Sequence, residues 1–267
     1  MSKARDVQKD VVKKHRRELW SKFVRAVRQF DLIEEGDRIA VAMSGGKDSL
    51  LLAVMMKELL RHPLVDFDVV FIVMDPGYTR AHREKIEKNA AALDIDIRVE
   101  QKRVFDVVQE KTPDNPCFLC ARIRRGVLYN LAEKHSCNKL ALGHHFDDVI
   151  ETTLLNLFYS GTFKTMLPKV ASKNYEGMHL IRPLFFVREQ EIEKLMRRHG
   201  LETLDCACPL GEKQDDSKRE EMKRVLSELK KRNKDVEKCV FRAADNVNLD
   251  YVLGWEKDGR KRRFDEE

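Results

Sequence analysis

Met43-Ser44-Gly45-Gly46-Lys47-Asp48-Ser49 lies between the run Arg38-Ile39-Ala40-Val41-Ala42 and the run Leu50-Leu51-Leu52-Ala53-Val54-Met55-Met56. The first run is short, mostly apolar and closed by a polar, glycine-bearing turn, which is the pattern of a buried parallel strand. The second is long and rich in leucine and methionine, which predicts a helix. In a strand–turn–helix unit, Gly45 and Gly46 let the backbone approach a ligand closely. The first N–H groups of the helix, with Ser44 and Ser49, can then point at an anion. The stretch reads as a phosphate cradle, against the plainer alternative of a βα turn that binds nothing.

Spacing separates this cradle from the commoner ones. A Walker A loop needs Gly, four residues and Gly-Lys-Ser/Thr, but Lys47 is followed by Asp48 and no glycine stands at the required place ahead of Gly46. A dinucleotide turn needs Gly-x-Gly-x-x-Gly, and the next glycine after Gly46 is Gly77. The stretch resembles the pyrophosphate loop, Ser-Gly-Gly-x-Asp-Ser, of the ATP pyrophosphatase (PP-loop) superfamily. That resemblance implies splitting of ATP between its α and β phosphates and adenylation of a substrate.

The chain of 267 residues, 42% hydrophobic, can bury a substantial core. It has no run of eighteen apolar residues, and Met1-Ser2-Lys3-Ala4-Arg5-Asp6 has no apolar stretch behind it, so a cytoplasmic protein with no membrane partner is expected. A net charge of +6 with 36% charged residues permits an anionic partner without demanding one. In a reducing compartment the six cysteines are not a disulfide framework. Cys117-x-x-Cys120 and Cys206-x-Cys208 have the spacing of metal ligands, whereas Cys137 and Cys239 stand alone and are expected to be buried structural residues.

In chain order, Val11, Val12, Leu19, Phe23, Val24 and Val27 recur at helical spacing. The lysines and arginines between them form a solvated face or an RNA contact. Strands are predicted at 38–42, 67–74, 95–100 and 139–142, with helices at 79–93, 104–111, 118–135 and 149–159. A less regular region with a predicted hairpin spans 163–187. A helix follows at 188–199, then two more within 216–246 and a charged, mobile tail at 257–267. This alternation predicts an α/β fold: a doubly wound, Rossmann-like parallel sheet with flanking helices and helical extensions at both ends. The expected division is an amphipathic segment at 1–35, the PP-loop domain with the cysteines at 36–210, and a helical extension with its tail at 211–267.

From spacing alone, the two cysteine pairs suit structural zinc first, an iron–sulfur cluster second and a redox dithiol third. Cys117 and Cys120 open a predicted helix inside the α/β domain and lead into Arg122, Arg124 and Arg125, which is unusual for a purely structural clip. Those arginines are either helix surface or contacts to RNA phosphates or a triphosphate.

The resemblance becomes specific when three stretches are taken together. They are Ser44-Gly45-Gly46-Lys47-Asp48-Ser49, Cys117-Phe118-Leu119-Cys120-Ala121-Arg122-Ile123-Arg124-Arg125-Gly126, and Gly143-His144-His145-Phe146-Asp147-Asp148-Val149-Ile150-Glu151-Thr152. With Arg182-Pro183-Leu184 and Arg188-Glu189, they resemble the TtcA family, the tRNA 2-thiocytidine synthetases. Paired zinc modules at the chain ends, a mark of the related tRNA 2-thiouridine enzymes, are missing. The resemblance implies an ATP-dependent sulfurtransferase that acts on a cytidine of tRNA, position 32, with AMP and pyrophosphate as products. It implies a 4Fe-4S cluster held by Cys117, Cys120 and Cys208, with Cys206 as the alternative third ligand. It also implies Mg2+ on Asp48 and Asp148, with Asp147 as the other choice, these carboxylates and cysteines being the catalytic set. ATP would lie against Ala42, Ser44, Gly45, Gly46, Lys47, Asp48, Ser49, Met74 and Gly143, with Lys47 facing solvent within reach of the phosphates. Sulfide or a cysteine desulfurase would donate sulfur, and a homodimer is possible.

Adjacent side chains such as His144 and His145 project in different directions in most backbones, so loop packing or substrate contact is expected of them rather than a joint metal site. Two further readings stay open: a PP-loop enzyme with a zinc clip acting on another base or a small molecule, and a non-catalytic nucleotide- or RNA-binding module.

Overall fold

Strand β1 (Asp37–Ala42) is the centre of the molecule, and Ile39, Ala40 and Val41 in it have no solvent exposure. A strand covered on both faces must be apolar on both, which is why the run reads as continuous rather than alternating. The computed structural model describes residues 2–102, 104–105, 116–204 and 215–265, with only the backbone described at 116–118, 121 and 215–217. β1 pairs in parallel with β2 (Phe67–Asp75) on one flank and with β4 (Lys139–Ala141) on the other. β3 (Ile97–Gln101) lies outside β2, β6 (His179–Ile181) lies parallel beside β4, and β5 (Lys169–Ala171) closes that edge antiparallel to β6. The order is β3-β2-β1-β4-β6-β5. The chain therefore builds outward from β1 to β3 and then crosses back to lay β4 on the opposite flank. The loops after β1 and β4 leave the sheet at this switch point, where open α/β sheets form their binding crevice.

The predicted helices are present at 3–29, 47–61, 80–92, 116–134 and 146–160, with ends that differ from expectation by up to three residues. Helix α1 (Lys3–Lys9) passes through two π-helical turns, Asp10–Lys14 and Arg16–Trp20, into α2 (Ser21–Gln29). The wider turns help keep Val7, Val11, Leu19, Phe23 and Val27 on one buried stripe, although their four-residue spacing would drift around a regular α-helix. The strand-linking helices are α3 (Lys47–Arg61), α4 (Arg80–Ala92), α5 (Pro116–Lys134), α6 (Phe146–Ser160) and α7 (Glu189–Arg198). α3 is buried from Ser49 to Met56, as a helix that is apolar nearly all round must be. Of the short helix expected at 104–111, Val104 and Phe105 are helical and residues 106–111 lie outside the described residues.

Two compact units result: Met1–Val149 with Leu167–Lys218, and Ile150–Met166 with Arg219–Glu267. The first holds the six-stranded sheet. The second holds the later part of α6, most of α8 (Asp215–Arg232), α9 (Val236–Ala243) and a hairpin, β7 (Gly254–Lys257) and β8 (Arg260–Arg263). The charged tail, expected to be mobile, is this hairpin. Cys137 is buried as expected, its thiol directed at the His135 carbonyl at 3.7 Å, but Cys239 is exposed on α9. No helix among the described residues is long and apolar enough to cross a membrane.

At the amino edge of the sheet the first residue of β4 acts as a clamp. The Lys139 side chain is 2% exposed, and its Nζ meets Asp37 Oδ2 at 2.6 Å and Glu34 Oε2 at 2.5 Å. Asn138 reinforces the same junction, donating to Asp37 Oδ1 at 2.7 Å and accepting from the Arg38 N–H at 2.9 Å. Removing the cation would strand the buried Asp37 carboxylate. Lys139→Ala is therefore expected to lower the unfolding free energy by about 3–5 kcal/mol, read from denaturant titration. Hydrogen bonds from Lys139 and Lys169 hold the Glu34 carboxyl at about 2, below its ordinary 4.5. A depressed acid contributes stability that is complete above its unfolded value and is lost as pH falls through its folded one. Acid titration of stability should thus show a Glu34 component between 4.5 and about 2, absent in Glu34→Gln.

Candidate active site

The polar turn after β1 is held by its own serines. Ser49 Oγ donates to the Gly46 carbonyl at 2.9 Å and accepts from the Ser44 N–H at 3.2 Å, and Ser44 Oγ lies 3.3 Å from it. Gly46 is the N-cap of α3 and has no side chain to cap with, so the first-turn N–H groups keep their capacity for an anion. Gly45 has a φ of +83°, and a Cβ there would lie 2.6 Å from Ile86, so the turn needs glycine for both backbone and space.

The loop after β4 comes against this turn. A Cβ on Gly143 would lie 3.0 Å from the Asp48 carbonyl carbon and from the Ser49 nitrogen, which are backbone atoms that cannot step aside. Only glycine lets the two loops touch. The next residues then cap α6: the His145 N–H donates to Asp148 Oδ2 at 2.9 Å, and the Asp148 N–H reaches back to His145 Nδ1 at 3.4 Å. This is the reciprocal capping-box geometry with His145 as the cap.

Between the loops is a cavity of about 360 Å³. Ala42, Ser44, Asp48, Ser49, Met74 and Gly143 line it, joined by Asp148, His144, Arg124, Arg125, Leu128 and Leu142. Of the residues expected to hold a nucleotide, Gly45, Gly46 and Lys47 do not line this cavity. Lys47 does not face solvent as expected: its Nζ pairs with Glu189 Oε1 at 3.0 Å and lies 3.7 Å from Asp48 Oδ2. Burial pulls this ammonium down, but Asp48 and Glu189 outweigh it and hold the group above its ordinary value.

The five acidic and imidazole groups in and behind the cavity have separate surroundings. Asp48 Oδ1 is buried with no hydrogen-bond partner among the described residues, 3.7 Å from His145 Nε2. Burial pushes the Asp48 carboxyl up against the opposing pull of His145 and Lys47. Asp148 faces the cavity, but Asp147 does not. Asp147 accepts the Glu189 N–H at 2.7 Å and pairs with Arg188 at 3.2 Å, which anchors the start of α7. His144 lines the cavity, while His145 is buried behind it at 4% exposure. Arg182 Nε donates to His144 Nδ1 at 3.3 Å. An arginine can only donate, so a neutral His144 carries its proton on Nε2. Burial, helped by Arg125, lowers Arg182 to about 10, which still leaves it charged at neutral pH.

Arg124 and Arg125 reach the cavity, and Arg122 is exposed without lining it. Cys120 precedes Arg124 by four residues and so shares its face of α5. The Cys120 side chain is 8% exposed and packs in the same apolar cluster as Met74, whose side chain is a cavity wall. Cys117 lies in the first turn of α5 by its backbone, and Cys206 and Cys208 lie outside the described residues. Among the described residues no group of three or more His, Cys, Asp or Glu side chains has metal-binding geometry. Two carboxylates, one with a buried unpartnered oxygen, are the protein share that Mg2+ takes beside substrate phosphates.

Asp75, one residue beyond the strand predicted at 67–74, organises the end of β2. It is fully buried and accepts the N–H groups of Gly77 and Tyr78 at 2.9 and 2.6 Å, with Arg83 paired to its other oxygen. Arg182 and Leu142 were also missed as site residues. The signal for Arg182 was its place in the Arg182-Pro183-Leu184 match, and Leu142 had only its position at a strand end.

A PP-loop domain family matches residues 17–205. The chain is 42% identical over 231 residues to the tRNA-cytidine(32) 2-sulfurtransferase of Geobacter metallireducens, covering 86% of this chain and 89% of that protein. It is 42% identical over 234 residues to the protein of the same name from Geobacter sulfurreducens, covering 87% and 90%. Among solved structures, the U34-tRNA thiolase NcsA from Methanococcus maripaludis with its 4Fe-4S cluster shares the fold. The TM-score is 0.66 at 22% identity, covering 86% of this chain and 80% of that one.

The contact between the two loops is directly testable. Gly143→Ala forces a methyl into immovable backbone and should cost about 1–3 kcal/mol of stability by urea denaturation.

Proposed function

The chain belongs to the PP-loop family and, within it, to the tRNA-cytidine(32) 2-sulfurtransferases, and from that premise we propose that it adenylates cytidine 32 of tRNA with ATP and replaces the 2-oxygen with sulfur. The observation that carries this reading is the single cavity that joins the phosphate loop to α5, the helix of Cys117 and Cys120.

A ring carbonyl oxygen is a poor leaving group. In the first half-reaction the cytosine 2-oxygen attacks the α-phosphorus of ATP, a new P–O bond forms and the bond to pyrophosphate breaks. In the second, sulfur at the sulfide level attacks carbon 2, and the C–O bond breaks to release AMP. No net oxidation occurs in either half. Ser44, Ser49 and the first N–H groups of α3 hold the phosphates, and Arg124 and Arg125 complement the charge that moves onto the departing pyrophosphate. His144 offers its Nε2–H to the cavity, with Arg182 as the positioning residue behind it. His145, through its cap, orients the Asp148 carboxylate toward the cavity beside Asp48. Ala42, Met74, Leu128 and Leu142 give the site apolar walls that exclude water from the adenylate.

The donor set fits two inorganic groups. Asp48 and Asp148 would hold Mg2+, which neutralises the triphosphate. Cys117, Cys120 and Cys208, with Cys206 as the alternative, would hold a 4Fe-4S cluster, whose open iron supplies a binding place for sulfide. Sulfide itself would be the source of sulfur, or a cysteine desulfurase, whose persulfide sulfur a thiol reductant must bring to the sulfide level with two electrons.

The test uses the full chain prepared anaerobically, with tRNA, ATP, Mg2+ and sulfide. Nucleoside mass spectrometry should find 2-thiocytidine formed in step with AMP, and metal analysis should find iron with acid-labile sulfide. Asp48→Asn should lower turnover by about a hundredfold or more while the fold is retained. AMP formation without a thionucleoside, or stoichiometric zinc without iron, would overturn the reading.

A further inference from the structure

The β7–β8 hairpin lies outside residues 17–205, the part matched to the PP-loop family, so the shared ATP chemistry does not account for it. Its strands are joined by Asp258-Gly259, with φ of +54° and +74°. Two consecutive residues of positive φ make the two-residue turn whose twist suits a hairpin, so the strands are presented in one fixed register. That register pairs Trp255 with Arg262, Glu256 with Lys261 and Lys257 with Arg260.

Cross-strand partners share a face, and neighbours along a strand alternate. One face therefore carries Lys257, Arg260 and Arg262 around the half-buried Trp255, with no acidic residue in it. The other face places Glu256 opposite Lys261, and Arg263 is paired with Asp265 at 3.3 Å. The charges of the first face are also uncompensated from elsewhere. Among the described residues Lys257, Arg260 and Arg262 have no carboxylate within ion-pair distance, whereas Arg219, Lys230, Lys231 and Lys238 of the same unit each have one. Tyr251 and Phe264 flank the hairpin at 87% and 62% exposure.

We propose that the face bearing Lys257, Arg260 and Arg262 around Trp255 docks on the phosphate backbone of the RNA substrate. The inference rests on the tRNA reading above and extends it by naming a contact surface. Arginines on the same sheet face as a planar ring, with further aromatic side chains nearby, suit phosphates and unstacked bases together. A membrane-surface element needs a continuous apolar face opposite its basic one, and here the opposite face is charged. RNA is therefore the favoured occupant.

The experiment compares three full-length proteins: wild type, Lys257→Gln/Arg260→Gln/Arg262→Gln, and the other-face control Lys261→Gln/Arg263→Gln. Affinity for tRNA is measured between ~50 and ~200 mM salt, alongside thiolation kinetics and binding to anionic phosphatidylserine vesicles. In the triple variant, the slope of log affinity against log salt should fall by about one per side chain removed. Its KM for tRNA should rise, while kcat at saturating tRNA and KM for ATP stay at wild-type values. The control variant should lose much less affinity.

Wild-type affinity and slope in the triple variant would overturn the docking face alone, leaving the enzyme reading intact. Equal losses in both variants would overturn it in favour of undirected charge. Vesicle binding that the triple variant loses, with tRNA binding unchanged, would assign the face to a membrane instead. A wild-type protein that neither binds nor thiolates tRNA would overturn both the reading and the face.

Discussion

The contact of Gly143 with the backbone of Asp48 and Ser49 is the constraint on which the site depends. It exists because β4 pairs directly with β1, a consequence of the chain reversing its direction of sheet growth after β3. Adjacent parallel strands release their loops about 4.8 Å apart, and only a residue without a side chain lets those loops close completely. The closure has an electrostatic consequence. Asp48 Oδ1 is left buried with no hydrogen-bond partner among the described residues, so the carboxylate is kept in a state that a cation or a polarised ligand would relieve.

Neighbouring residues of the same type take opposite duties in this geometry. Asp147 and Asp148 point about 100° apart around the start of α6, so one secures α7 while the other faces the cavity. His144 and His145 divide at the boundary between loop and helix, one lining the cavity with Arg182 behind it and one buried as a helix cap. Each pair puts a cavity-lining group beside a residue that orients its surroundings. Helix α5 joins the other half of the proposed chemistry in the same way, since a single rigid turn separates Cys120 from the arginine that reaches the phosphate side.

Much of the fold was legible before any coordinates. Continuous apolar runs with Gly, Pro and Asp at their ends marked the parallel strands, and their alternation with helical spacing implied the doubly wound sheet. Of the site, Ser44, Asp48, Ser49 and Gly143 were recognisable from local motifs. Lys47 was misread because its ion pair with Glu189 joins residues far apart in the chain, and a motif says nothing about such a partner. Cys239 was misjudged because the frequency with which lone cysteines are buried does not reveal which face of α9 this one occupies. The tail was read from its charge alone, whereas Asp258-Gly259 turns the chain into the hairpin of β7 and β8.

The residues alone determined the chemistry available: a glycine-bearing anion loop, carboxylates, thiols in close pairs and a surplus of positive charge. These are properties of residue type and short spacing, which the covalent chain carries with it in any conformation. Only the tertiary structure decided which of them meet. Asp148 rather than Asp147, Arg124 and Arg125 rather than Arg122, and His144 rather than His145 face the cavity. The physical reason is that helix phase, strand order and the glycine contact between two distant loops set direction, and none of these is a property of a short segment.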